Sequence, residues 1–191
     1  MDFSQGRFGA LFCCLLLSFA VSARSPSSLD RDLIAAAERG DSANVRGLLK
    51  RGANVNAQDE KLDSAFLIAG ANGRTEVLKL LVPAGADLRS TNRYGGTALI
   101  PACHRGHVEA VRYLLTTKID VNHVNKLGWT ALLEAVILGE GGAAHTEIVR
   151  LLLEHGANPN LADRDGVTPL AHARTRGFRG IAGLLERAGA K

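Results

Sequence analysis

From Leu29 onward, a large and a small apolar residue return together, three positions apart: Leu33 and Ala36, Phe66 and Ala69, Leu99 and Ala102, Leu132 and Ala135, Leu170 and Ala173. That spacing puts both on one face of a helix, where the large side chain fills space and the alanine lets a neighbouring helix come close. A second apolar stretch follows within the units, as in EVLKLLV, EAVRYLL and EIVRLLL, again with its apolar positions on one face. Glycine follows most of these stretches and ends the helix, because it takes a left-handed backbone at little cost. The pattern predicts a succession of helix-turn-helix pairs joined by short turns.

Two further landmarks keep the same beat. The tetrads beginning at Gly52, Gly85, Lys118 and Gly156, and the terminal GAK at Gly189, are separated by 33, 33, 38 and 33 residues, and Asp59, Asn92, Asn125 and Asp163 by 33, 33 and 38. A unit of this size cannot bury an apolar face alone, so stacked neighbours must supply the stability. The ends read as stack ends. The first unit opens with LDRDLIAAAERGD, and the position held by Leu49, Val82, Leu115 and Leu153 becomes Glu186 in the last. The sequence therefore reads as a complete array.

The period, together with DGVTPLAHA from Asp165 to Ala173, resembles the ankyrin repeat, whose signature is about 33 residues around T-P-L-H-x-A. Threonine and proline stand together only at Thr168 and Pro169; the other units have Ser64-Ala65, Thr97-Ala98 and Thr130-Ala131. The histidine of the signature is absent from its place, where Leu67, Ile100, Leu133 and Ala171 stand. The resemblance implies an all-α fold, an ankyrin-repeat solenoid of five stacked helix-turn-helix units with short turn or hairpin connections. It spans residues 29–191, with repeats at about 29–58, 59–91, 92–124, 125–162 and 163–191.

Residues 1–23 differ in kind. Arg7 precedes an apolar run from Phe8 to Val21, and SARS follows, with Val21 and Ala23 at the positions an exporting peptidase reads. This is the pattern of a secretory signal peptide, and residues 24–28 read as a short linker. The run is short against the roughly 20 residues of a spanning helix, so no stable membrane span is expected after cleavage; retention as an anchor is the open alternative. Cleavage leaves Cys103 as the one cysteine and no internal disulfide. Signal and repeats together resemble exported bacterial ankyrin-repeat proteins, which implies a periplasmic or secreted location.

Composition narrows the class. At 46% hydrophobic and 22% charged, the chain fits one globular domain, and 5% aromatic content suits small, closely stacked units. A net charge of +4 without a basic run gives no footprint for nucleic acid. Cys103, His104 and His107 in PACHRGH invite a metal or hydrolytic reading, but each shares its place in the repeat with unrelated residues. Cys103 aligns with Ala37, Gly70, Val136 and Arg174, and His107 with Asp41, Arg74, His145 and Phe178. No metal, cofactor or catalytic set is expected. GEGGAA, Gly139 to Ala144, lacks the Lys-Ser/Thr of a phosphate loop and reads as an insertion projecting from one face.

The resemblance implies a protein-binding module that uses turn tips and the outer face of the first helices. Positions there include Arg93, Tyr94, His104, Arg105, Lys126, Leu127, Trp129, Ile137 and Leu138, with the only Trp and one of two Tyr among them. Aromatic and arginine side chains are the usual anchors of an interface, which centres the expected site on the third and fourth units. The partner is another protein, and the exported relatives suggest an enzyme such as a catalase. A secreted effector acting on a host protein is the alternative.

Overall fold

The computed structural model describes residues 26–191, so the expected signal peptide and the first two linker residues lie outside the described residues. Ten helices follow in pairs: α1 Ser28–Arg39 and α2 Ser42–Lys50, α3 Ala65–Ala71 and α4 Thr75–Leu81, α5 Leu99–His104 and α6 Val108–Leu115, α7 Ala131–Ile137 and α8 Ala143–Glu154, α9 Pro169–Thr175 and α10 Arg179–Arg187. First helices stack in the order α1, α3, α5, α7, α9, and second helices likewise from α2 to α10. The five-unit, all-α stack expected from the apolar pattern is what forms; among the described residues β structure is limited to one bridge, Gln58 to Ser64.

The alanines Ala36, Ala69, Ala102, Ala135 and Ala173 are all fully buried, as the close approach of first helices requires. Leu48, Leu81, Leu114, Leu152 and Leu185 do the same work for the second helices, each at most 2% exposed. Close approach reaches its limit at Gly70, where a Cβ would come within 2.7 Å of the Ala98 Cβ and 2.8 Å of the Ala98 carbonyl oxygen. The unit termini are polar: Arg174 on α9 donates to Glu186 on α10 at 2.7 Å across the outer end of the stack.

The second landmark series has a local cause. Asp59, Asn92, Asn125 and Asp163 each accept, through one side-chain oxygen, the backbone N–H groups two and four residues on. This fixes the turn that leads into each first helix. Ser64, Thr130 and Thr168 then cap those helices by accepting from Leu67, Leu133 and Ala171 at 3.2 to 3.3 Å. Thr97 is the exception. In the other units the residue four positions on donates its N–H to the cap carbonyl, but here that residue is Pro101, which has none. Ile100 N–H turns to the Thr97 carbonyl at 3.3 Å instead, and the buried Thr97 hydroxyl is left without a partner.

A third series joins the units. Asn56, Asn122 and Asn160 each donate to a backbone carbonyl of the next turn (Gly85, Gly156, Gly189) and accept an N–H from Asp87, Asn158 and Lys191. The equivalent position in the second unit is Arg89, whose exposed side chain makes no such bridge.

The insertion projects only in part, with Glu140, Gly142, Ala143 and Ala144 exposed. It extends α8 by one turn at its start, and Gly139 is buried. A Cβ on Gly139 would lie 2.1 Å from the Ala135 carbonyl oxygen, and one on Gly141 would meet the Phe178 ring at 2.4 Å. Gly139 and Gly141 pack because the missing Cβ leaves room for His145 of the same unit and Phe178 of the next.

Candidate partner-binding groove

Each first helix leaves its last carbonyl groups without intrahelical partners. The next unit supplies them. Arg74 Nε donates to the Glu38 carbonyl at 3.1 Å, Arg105 Nη1 to Ala71 at 2.8 Å, and Arg176 to both Ile137 and Gly139. His145 does this for His104: its Nε2 lies 2.9 Å from the His104 carbonyl while its Nδ1 accepts the Glu140 N–H. Arg74 and His145 lie over the left-handed Gly40 and Gly106 of the preceding unit, and His107 lies over Gly73 in the same way. Gly73 has φ +65, and a Cβ there would come within 2.6 Å of the His107 ring.

That arrangement accounts for PACHRGH. Burial holds the Cys103 thiol well above its usual range, the Glu134 charge adding to it, so it remains a protonated, packed group. His107 starts α6 and is held below the ordinary histidine value first by burial and then by the Arg105 charge, against the pull of the Ala71 carbonyl. His104 is lowered by burial, with the Arg105 and His145 charges assisting. Among the described residues no three His, Cys, Asp or Glu side chains converge as a metal ion requires.

The turn tips and first helices line a groove of about 700 Å³ that runs from the first unit to the fourth. Its tips are tied together: Lys126 N–H donates to the Tyr94 carbonyl at 2.9 Å, and His123 Nε2 lies 2.7 Å from the Gly95 carbonyl. Of the expected contact residues, Arg93, Tyr94, His104, Arg105, Leu127 and Leu138 line this groove. The other three have different surroundings. Lys126 lies back along the third turn with its Nζ 3.1 Å from the Arg93 carbonyl, and Trp129 is half-buried, its N–H donated to Asn125 Oδ1. Ile137 is half-buried, its carbonyl capped by Arg176.

Arg93 sits 3.7 Å from Asp63 and 4.6 Å above the Tyr94 ring, which stiffens that wall. Burial, with the Asp59 charge next, raises the Asp63 carboxyl, and Arg93 opposes the shift.

Glu134 is among the groove residues that reading the sequence alone misses. Glu134, on α7, is 7% exposed, and its Oε1 accepts from Asn125 Nδ2 at 3.0 Å. Burial raises its carboxyl above the usual value, and the Asn125 amide pulls the other way. The same bond recurs one unit later, where His172 Nε2 lies 2.7 Å from Asp163 Oδ2 and depresses the Asp163 carboxyl. The signal for both was present: a polar residue nine positions after the turn Asn or Asp, where the second and third units have Ile68 and Pro101.

With this geometry in view, the likenesses to known proteins agree in kind. An ankyrin repeat domain from Acinetobacter baumannii AYE has a solved structure that is 58% identical, with a TM-score of 0.81 over 83% of this chain and 81% of that one. EF0377, an ankyrin repeat protein of solved structure, is 40% identical with a TM-score of 0.78, covering 81% of this chain and 79% of that one. YahD of Escherichia coli (strain K12) is 58% identical over 57 residues, 30% of this chain and 28% of YahD, so the match spans under a third of that relative. The model for ankyrin repeats in three copies matches residues 33–125, 65–163 and 118–191. Those matches run through all five helix pairs, and the chain belongs to the ankyrin-repeat family.

Proposed function

We propose that this protein is an exported, non-catalytic scaffold that binds one partner protein along the groove of its turn tips and first helices. Ankyrin repeats are protein-interaction modules, and one observation carries the assignment to this face. Among the described residues five large apolar side chains are exposed, and three of them, Tyr94, Leu127 and Leu138, line the groove. Such residues in a rigid concavity are what a partner can desolvate.

Export rests on the Phe8–Val21 run and the small residues after it. A periplasmic or secreted location follows, which makes an enzyme of that compartment, such as a catalase, the first partner to examine. A photo-crosslinking residue in place of Leu127 or Leu138 should capture a single protein from cells, whereas the same residue in place of the exposed Glu109 on α6 should not. Equal capture from both positions overturns the groove assignment. An intact Met1 form confined to the cytoplasm, found by mass spectrometry of cell fractions, overturns export.

A further inference from the structure

The arginines of the groove are engaged within the protein, leaving the exposed Lys61 at its far end, and its one buried carboxylate is left with an open side. Arg31 donates to the Pro26 carbonyl at 2.7 Å, Arg105 to Ala71 and Asn72, and Arg93 stands between Asp63 and the Tyr94 ring. Glu134 differs. Its side chain is 9% exposed and lines the groove between the third and fourth units. Asn125 serves Oε1, but the basic group facing Oε2 is His104 Nδ1 at 3.7 Å, too far for a hydrogen bond. The same groove is lined by Ile100 and Pro101 of α5 and by Leu127 and Leu138 of the fourth unit, together with the polar His104, Arg105 and Asn125.

A largely buried carboxylate with one unserved oxygen is a strong acceptor for a cation. We propose that Glu134 seats one lysine or arginine side chain of the partner, presented on an extended segment whose flanking apolar residues lie against Tyr94, Leu127 and Leu138. The inference rests on the groove being the binding face. The same charge excludes an acidic segment, because a second carboxylate at Oε2 meets repulsion where little water is present to screen it.

The test is selection from a random-peptide display library on the full chain, in parallel on the parent and on Glu134→Gln, which keeps the Asn125 contact and removes the charge. Parent binders should share one basic residue between apolar neighbours, and Glu134→Gln binders should keep the apolar residues and lose the basic one. Replacing arginine by citrulline in the best binder should weaken its affinity for the parent roughly tenfold or more. The same replacement should not change affinity for Glu134→Gln. If that variant does not fold, the citrulline comparison on the parent decides alone. Binders without a recurring basic residue, or with an acidic one there, overturn the proposal; the groove assignment survives them if Tyr94→Ala and Leu127→Ala weaken binding. Binders indifferent to those two substitutions, or no binders at all, overturn both.

Discussion

Replacing Leu132 by alanine tests whether this stack holds together only through adjacent units. Leu132 is 1% exposed on α7, which packs against both α5 and α9. Three carbons are lost, worth about 0.8 kcal/mol each, or roughly 2.4 kcal/mol of transfer free energy. The cavity left between rigid helices adds about 1 to 2 kcal/mol where neighbours cannot collapse into it, for a total near 4 kcal/mol. Both interfaces of the fourth unit are weakened by this one change. In a chain of nearest-neighbour couplings, α7 to α10 should then unfold at lower denaturant than α1 to α6.

The protein carries its own local probe, since Trp129, the only Trp, stands in the turn that enters α7. In the parent, urea transitions followed by tryptophan fluorescence and by far-ultraviolet circular dichroism should coincide. In Leu132→Ala the fluorescence transition should move to lower urea and separate from the dichroism. A loss below about 1 kcal/mol would refute the packing argument, since a Leu to Ala change in a rigid core costs about 2 to 5 kcal/mol. A loss of the expected size with both probes still superimposed would refute the nearest-neighbour argument.

Three other substitutions probe local features. Thr97→Val should be neutral or slightly stabilising because it removes an unpartnered hydroxyl, whereas Thr130→Val should cost about 1 to 2 kcal/mol by removing a cap; equal losses in urea unfolding would mean that Thr97 is bonded after all. Leu62 has φ +61 where the other turns place Gly95, Gly128 and Gly166, so Leu62→Gly should stabilise by about 1 kcal/mol, and a lowered melting midpoint would contradict this. Folded Glu134 holds its proton more tightly than the unfolded chain, so parent stability relative to Glu134→Gln should rise as pH falls toward the ordinary glutamate value of 4.5; a difference flat between neutral pH and that value refutes it.

How much of this was legible in the sequence depended on whether a feature lay inside one unit or between two. The Leu/Ala pairs and the turn Asp or Asn act within a unit through a fixed residue type at a fixed spacing, so periodicity found them. The Thr97 cap looked like its neighbours until Pro101, four residues on, removed the N–H that lets the hydroxyl serve. The insertion read as a wholly projecting loop because glycine is ambiguous: Gly142 does stand open, whereas Gly141 makes room for the Phe178 ring.

What stayed hidden is the link between units that puts the groove together. One job, capping the carbonyl end of the previous first helix, is done by Arg74, Arg105, His145 and Arg176. They occupy two places in the repeat, Arg74 and His145 in one and Arg105 and Arg176 in the other, so the job passes between a guanidinium and an imidazole and from one place to another. Aligning units therefore shows unlike residues at His145's place, although its ring is bonded to the unit before and to its own. Glu134 follows the opposite logic. Its place is aligned with Ile68, Pro101 and His172, yet only the fourth unit puts a carboxylate there beside a histidine on the unit before. Repeated contacts made by unlike residues build the scaffold, whereas an unlike residue at a repeated place, with one oxygen unserved, is where a stack of similar units can distinguish one partner from another.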